Sequence, residues 1–167
     1  MRIAFGCDHR GFPYKTAMIA ALGADGHDVL DLGTNSLDAV DYPDSARAVG
    51  VAVRDGRGEV GILVCGSGAG VSIAANKIHG VRAALCHDLF TARQSREDDD
   101  ANVLCLGSRV VALDMAIALA REFVGSRFSH AERHERRLAK ILDLEAHQPP
   151  PSANPSTPQA ARGSRRT

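Results

Sequence analysis

Short apolar segments alternate with helical segments along most of this chain, and no other feature of the sequence limits the fold as strongly. Five runs rich in Val, Ile, Leu, Ala and Cys have the composition of buried strands, and they span residues 2–5, 28–32, 60–65, 82–86 and 102–107. Helical spacing of apolar residues marks the stretches 14–26, 44–56, 70–78, 88–97 and 113–125. Strands that alternate with helices form a parallel sheet covered on both faces, so the sequence predicts an α/β fold.

The chain is predicted to hold one domain followed by a tail. Its 167 residues suffice for a single hydrophobic core, and 44% hydrophobic with 24% charged residues is ordinary for a globular protein. We place the domain at residues 1–145 and a proline-rich, basic tail at 146–167. The tail holds five of the seven prolines and almost no apolar residues, so we expect it to be disordered.

The distribution of charge and hydropathy argues against nucleic acid and membrane as partners. Basic and acidic residues number 20 each, but Arg162, Arg165 and Arg166 lie in the tail, which leaves a mildly acidic domain. No stretch approaches the roughly 20 apolar residues that span a bilayer, and the first residues do not resemble a signal peptide. We therefore expect a cytoplasmic protein.

The four cysteines are widely spaced and form no CxxC pair. This pattern fits reduced thiols better than a disulfide framework or a zinc site. They are Cys7, Cys65, Cys86 and Cys105.

The segment "CGSGAG" at residues 65–70 places a thiol before a glycine-rich turn that opens a helix. Glycines let backbone amides approach an anion, and ligands bind parallel sheets at this edge. Three interpretations are open: an inert core cysteine, a nucleotide-phosphate loop, or a catalytic base beside an oxyanion site. Val71 stands where the third glycine of a dinucleotide fingerprint belongs, although Asp88 is spaced like a ribose-binding acid. A thiolate is stabilised beside a helix N-terminus, so proton chemistry explains Cys65 better.

Five motifs follow one another in order through nearly all of residues 1–145, and they are "GCDHRG", "DYP", "CGSGAGVSIAANK", "NVLCLGSRVV" and "RHERR". Together these motifs resemble the ribose-5-phosphate isomerase B family, which also includes allose- and galactose-6-phosphate isomerases. The resemblance implies a single-domain Rossmann-like three-layer sandwich with a five-stranded parallel sheet. It also implies a C-terminal helix that reaches a partner subunit, in a homodimer or a dimer of dimers with shared active sites.

The activity that the resemblance implies is aldose–ketose isomerisation of a sugar phosphate through a cis-enediolate, with no metal and no organic cofactor. Cys65 matches the base that moves a proton between C1 and C2, and Ser67 matches a hydroxyl neighbour of that base. The oxyanion site matches the backbone of Gly66, Gly68, Ala69 and Gly70. Asp8 and His9 match residues that contact the sugar hydroxyls and ring oxygen, and Tyr42 matches a residue of the substrate pocket.

A phosphate clamp is implied by the same resemblance, with Arg109, Arg133 and Arg137 as its arginines and His134 beside them. Arg133 and Arg137 are four residues apart on a predicted helix, so they share one face and can converge on one dianion. That helix carries an apolar stripe formed by Leu138, Ile141 and Leu142. Without the other motifs, a solvated basic face would be the simpler interpretation.

One segment departs from the family pattern. Most ribose-5-phosphate members carry a histidine and an asparagine before "NVL", matched to opening of the sugar ring, and this chain has Asp98 and Asp99 there. Asp98 could accept the ring hydroxyl proton instead. Alternatively, the substrate could be another aldose phosphate, such as a six-carbon one, or a tetrose 4-phosphate, which has no hydroxyl free to close a furanose.

The sequence therefore predicts an aldose–ketose isomerase, with ribose 5-phosphate and ribulose 5-phosphate as the leading pair. Two alternatives come from other classes: a sugar-phosphate-binding regulatory module, which would not need the thiol, and a nicotinamide-dependent oxidoreductase, which would need the missing glycine.

Overall fold

A five-stranded parallel sheet lies at the centre of the protein, in a computed structural model that describes residues 1–147. The strands lie in the order β2-β1-β3-β5-β4, and every neighbouring pair is parallel. The strands are β1 (Arg2–Cys7), β2 (Asp28–Asp31), β3 (Val60–Cys65), β4 (Ala83–Leu85) and β5 (Val103–Gly107).

Helices cover both faces of this sheet, which makes the three-layer sandwich that the sequence predicts. They are α1 (Phe12–Ala24), α2 (Tyr42–Arg54), α3 (Ala69–Ala75), α4 (Leu89–Asp99), α5 (Leu113–Gly125) and α6 (Glu132–Ala146). Helices α2 and α3 pack on one face, whereas α1, α4 and α5 pack on the other. Each face has its own apolar core, so β3 and β5 between them are buried along their whole lengths.

The bounds of an element agree with the prediction where its sequence pattern is uninterrupted. Strand β3 and helix α5 have the predicted bounds, because each is an uninterrupted apolar or periodic segment. Helix α1 begins earlier than predicted, at Phe12, because Pro13 occupies its first turn, where the missing N–H costs nothing. Within the described residues no helix is long and apolar enough to cross a membrane.

The strand order defines a crevice at the carboxyl edge of the sheet. From β1 the chain moves outward to β2 and then returns to β3 on the other side of β1. Parallel α/β sheets bind ligands at such a switch point, outside the carboxyl ends of the strands. Here those ends lead into Asp8 after β1 and into the loop at Gly66 after β3.

Helix α6 lies at the opposite, amino edge of the sheet. Near its start, Ser129 donates from its backbone N–H to the carbonyl of Glu97 on α4. Near its end, the Glu145 carboxylate accepts from the Gly80 amide at 2.6 Å, just before β4. The helix runs to Ala146, one residue past the predicted domain boundary, and the predicted tail lies outside the described residues except for its first two positions.

Candidate active site

Cys65 is the last residue of β3 and lies under the glycine loop. It is 4% exposed, and its Sγ accepts a hydrogen bond from the Gly68 amide at 3.1 Å. This hydrogen bond joins the sulfur directly to the glycine loop, which a thiol packed only among apolar side chains would not have. The geometry therefore fits a base at the mouth of a donor loop.

Glycine is required in this loop by backbone geometry. Gly68 has φ +79°, a left-handed conformation, and a Cβ there would lie 2.5 Å from Leu85 Cδ1. A Cβ on Gly107, at the end of β5, would lie 2.6 Å from the backbone of Ser67. The loop is also tied to β5, because Arg109 donates its backbone N–H to the Gly66 carbonyl at 3.0 Å. These constraints fix the loop amides beside the thiol before any ligand binds.

Asp8 and His9 follow β1 on the other side of the crevice. Asp8 is 4% exposed, and its Oδ1 accepts from the amides of Arg10 at 2.8 Å and Gly11 at 2.9 Å. The His9 Nδ1 accepts from the Val40 amide at 3.2 Å, which holds the loop before α2. Asp8 thus shapes the turn into α1, and His9 is half-buried at the crevice.

Tyr42 begins α2 and lies against the same loop. A Cβ on Gly70 would lie 2.8 Å from two atoms of the Tyr42 ring, so the ring packs on that glycine. Ser67 is exposed at the tip of the loop, and its Oγ accepts from the Ala69 amide at 3.4 Å. The structure therefore brings Asp8, His9, Tyr42 and the 65–70 loop to one edge of the sheet.

The other three cysteines have the properties of core thiols. Burial raises the pKa of Cys7 to about 11 and that of Cys86 to about 11, and it raises the pKa of Cys105 still further. All three are fully buried. Their thiols stay protonated at neutral pH, so none of them competes with Cys65 as a base.

Two arginines cross the glycine loop. A Cβ on Gly66 would lie 2.9 Å from the Cδ of Arg10 and 3.8 Å from the Cδ of Arg109. Both arginines are exposed. The sequence predicted a place in the phosphate clamp for Arg109, whereas it predicted no role for Arg10.

The remaining predicted site residues lie at the amino edge, away from Cys65 of the same chain. Five strand steps separate the two ends of β3, which is about 16 Å at roughly 3.3 Å per residue. Helix α4 runs from the carboxyl edge back to the amino edge, so its last residues cannot approach the thiol within one chain. These residues are Asp98 and Asp99 on α4, and Arg133, His134 and Arg137 on α6.

Asp98, which is partly exposed, contacts the buried His134 between α4 and α6. The His134 Nδ1 lies 3.3 Å from Asp98 Oδ1 and 2.7 Å from Ser129 Oγ, and His134 is only 2% exposed. The other Asp98 oxygen accepts from Gln94 at 3.0 Å. Arg133 and Arg137, in contrast, are exposed. The imidazole in this single chain therefore holds two helices together instead of facing solvent with the arginines.

Two residues at the carboxyl edge escaped the sequence analysis. Arg10 lies within the "GCDHRG" motif, but its contact with Gly66 depends on how β1 and β3 pair. Lys15 is 6% exposed, and its Nζ contacts Asp31 at 2.6 Å and Asn35 at 2.7 Å, which ties α1 to the loop after β2. A lysine on a predicted amphipathic helix is normally taken as exposed. Nothing in the sequence around Lys15 indicates that its side chain is buried.

The fold and this edge define a parallel α/β protein whose crevice combines a thiol, a rigid donor loop and arginines. In residues 1–147 no group of three or more His, Cys, Asp or Glu side chains is placed to hold a metal ion. Such a crevice can move a proton at carbon and hold an oxyanion beside it.

Comparison with known proteins identifies the family. The sequence profile described as Ribose/Galactose Isomerase matches residues 3–141. The chain is 44% identical over 144 residues to ribose-5-phosphate isomerase B of Escherichia coli (strain K12), covering 86% of this chain and 96% of that protein. It is 38% identical over 151 residues to D-erythrulose-4-phosphate isomerase 2 of Mycolicibacterium smegmatis, covering 89% and 97%.

A solved structure agrees with these sequence matches. Ribose-5-phosphate isomerase B from Clostridium thermocellum matches with a TM-score of 0.85 at 43% identity, covering 87% of this chain and 98% of that one. The chain therefore belongs to the Ribose/Galactose Isomerase family, and it is an isomerase. This result decides against the regulatory-module and nicotinamide alternatives.

Proposed function

We propose that the protein interconverts ribose 5-phosphate and ribulose 5-phosphate, with Cys65 as the base. The observation that carries this proposal is the Cys65 thiol at the crevice, held by the Gly68 amide under a preformed loop. The relatives named ribose-5-phosphate isomerase B support the choice of this aldose phosphate.

In the proposed reaction, the Cys65 thiolate takes the proton from C2 of the open-chain aldose. The electron pair of that C–H bond forms the C1–C2 double bond, and the carbonyl π pair moves onto O1. A proton passes from O2 to O1 as the enediolate rearranges, and the thiol returns its proton to C1 to give the ketose. The rate depends on donors fixed where the oxyanion develops, which is the part we assign to the amides of Gly66–Gly70.

We infer that a second copy of the chain completes this site. Arg133 and Arg137 lie at the amino edge, about 16 Å of strand length from Cys65 at roughly 3.3 Å per residue, so they cannot reach the same sugar within one chain. In a twofold dimer, α6 of each copy can lie across the carboxyl edge of the other and bring its arginines to the phosphate. The copy that supplies these arginines would then also bring Asp98 and Asp99 to the sugar, with His134 holding them in place.

Exposed apolar side chains at both edges support such a contact. At the carboxyl edge Ile73 is 65% exposed and Phe90 is 67% exposed. On α6 the predicted apolar stripe is only partly covered, since Ile141 and Leu142 are 40% and 42% exposed, and Leu144, which was not part of the predicted stripe, is 70% exposed. Burial of these surfaces against each other would supply the hydrophobic contribution that a stable dimer needs.

A tetrose 4-phosphate is the second candidate substrate, favoured by the environment of Asp98. Ring opening needs a group that takes and returns a proton near neutral pH, and imidazole does this better than a carboxylate. The Asp98 carboxylate is also shared with Gln94 and His134. A tetrose 4-phosphate needs no ring opening, and the relative from Mycolicibacterium smegmatis is named D-erythrulose-4-phosphate isomerase 2.

A substrate panel tests both candidates together. Ketose formation is measured with erythrose 4-phosphate, ribose 5-phosphate, and allose and galactose 6-phosphates, for the parent protein and for Asp98→His. We expect turnover of ribose 5-phosphate, and we expect Asp98→His to raise kcat/KM selectively for that furanose-forming substrate. Absence of turnover on every aldose phosphate would refute the proposed function. If Asp98→His instead lost as much kcat/KM on ribose 5-phosphate as on erythrose 4-phosphate, or more, the assignment of Asp98 would be refuted.

A further inference from the structure

We infer that Arg10 binds the phosphate of the substrate together with Arg109, as a two-arginine anion site within one chain at the entrance of the Cys65 loop. This inference rests on the proposed function, because it assigns a binding residue to that site. It concerns a residue that lies within the "GCDHRG" motif but to which the family resemblance assigned no role.

The backbone of Arg10 is held on both sides. Its N–H donates to Asp8 Oδ1 at 2.8 Å, and its carbonyl accepts from the Ser108 hydroxyl at 2.8 Å. Ser108 in turn donates its own backbone N–H to the Cys65 carbonyl at 2.9 Å. The residue that precedes Arg109 thus fixes Arg10, so the two arginines are presented from neighbouring, connected turns.

Their side chains converge on one small residue. The Cδ atoms of Arg10 and Arg109 lie 2.9 Å and 3.8 Å from the point that a Cβ on Gly66 would occupy. Glycine at this position allows both stems to cross the loop directly above the residue that follows Cys65. A Cβ at this position would displace the stem of Arg10 and would touch that of Arg109.

Neither guanidinium forms an ion pair with a carboxylate of residues 1–147. Carboxylates pair instead with other basic side chains, among them Lys15, Arg82 and Arg121. Asp8 lies close in sequence, but its Oδ1 binds backbone amides and not the arginine heads. Two neighbouring like charges without a counter-ion repel each other, and an anion placed between them relieves that repulsion.

The anion that fits is a phosphate dianion. Two guanidinium groups offer several N–H donors in planar forks, which match the oxygens of a phosphate. The established reaction family acts on phosphorylated sugars, and a phosphate held beside Gly66 keeps the sugar chain next to the thiol. Arg10 is therefore a binding and positioning residue that takes no part in the proton transfer.

The test compares Arg10→Gln, which keeps the stem as far as Cδ and removes the charged guanidinium, with Arg57→Gln as a matched control. Arg57 is an exposed arginine on the turn before β3, at the amino edge of the sheet. The Kd of inorganic phosphate is measured by calorimetry on the full chain, and kcat and KM are measured with ribose 5-phosphate. Arg10→Lys reports whether a positive charge without the fork suffices.

We expect Arg10→Gln to raise both the phosphate Kd and the KM by about tenfold or more, with kcat within about twofold, as for a lost charged hydrogen bond. Arg10→Lys should recover part of the loss, and Arg57→Gln should match the parent. A phosphate Kd for Arg10→Gln that equals that of Arg57→Gln, or a parent protein that binds no phosphate, would overturn the inference. Phosphate binding that depends on Arg10 in a protein inactive on every aldose phosphate would support the inference and refute the proposed function.

Discussion

Both edges of the sheet carry polar side chains, and the groups around Asp100 at the amino edge are paired differently from those around the Cys65 loop at the carboxyl edge. At the amino edge, Arg82 bonds Asp100, and the Arg96 guanidinium donates to the Ala101 carbonyl. At the carboxyl edge, polar groups shape the backbone, while the Ser67 hydroxyl and two arginine heads remain exposed. Polar groups that bind one another stabilise a fold, whereas groups held in place without a charge partner are available to a ligand.

The largest expected effect is at the carboxyl edge. Cys65→Ala removes the proposed base, so kcat should fall by at least about a hundredfold while the substrate still binds. Cys86→Ala is the matched control, since Cys86 is another buried cysteine that follows a strand at this edge and its raised pKa keeps it protonated. Steady-state kinetics of both variants check this, and near-parental kcat in Cys65→Ala would end the assignment.

The difference between the edges was only partly predictable from the sequence. The parallel sheet, β3 and the position of Cys65 follow from local periodicity and from the glycine loop. That Asp98 lies far from Cys65 was implied by topology, because α4 joins the carboxyl end of β4 to the amino end of β5.

The convergence of Arg10 and Arg109 on Gly66 could not be predicted in this way. It depends on the pairing of β1, β3 and β5, which no local pattern encodes. The burial of His134 depends on how α6 packs against α4, and its motif neighbours Arg133 and Arg137 are exposed.

A second, smaller effect should appear at the amino edge as a loss of stability. Asp98→Ala removes a carboxylate that contacts buried His134 and accepts from Gln94, so the free energy of unfolding should fall by about 1–3 kcal/mol, the contribution of hydrogen bonds to a charged group. Asp99→Ala is the control, because its carboxylate has only a 3.4 Å contact with Gln94. Urea denaturation measures the stability of both variants. Equal unfolding midpoints for the two would contradict the claim that Asp98 contributes more to stability than Asp99.

The smallest expected effect concerns the buried thiols that end the strands at the carboxyl edge. Burial raises the pKa of Cys7 and Cys86 from 9.0 to about 11. Between about pH 9 and 11 the unfolded chain loses these protons and the folded chain keeps them, so stability falls as pH rises through that window. We expect a loss of about 1 kcal/mol or more.

The control for this loss is Cys86→Ala, which should lose less stability across the same pH range. Denaturation curves at pH 8 and pH 10.5 measure the difference between the two proteins. Identical pH dependence of the parent and the variant would show that the thiol does not titrate in this way.

The central claim is that the carboxyl edge of one chain and α6 of another together form one active site, and subunit mixing tests it most directly. Cys65→Ala and Arg137→Gln each impair a different edge, so the two variants are unfolded together, refolded as a mixture and assayed on ribose 5-phosphate. Half of the sites in a mixed dimer would combine an intact Cys65 with an intact Arg137. We expect the mixture to be well above either variant alone in activity. Arg136→Gln is the control, and it should keep the parental activity without being mixed with another variant. No recovered activity, with mixed dimers verified by mass spectrometry, would contradict it.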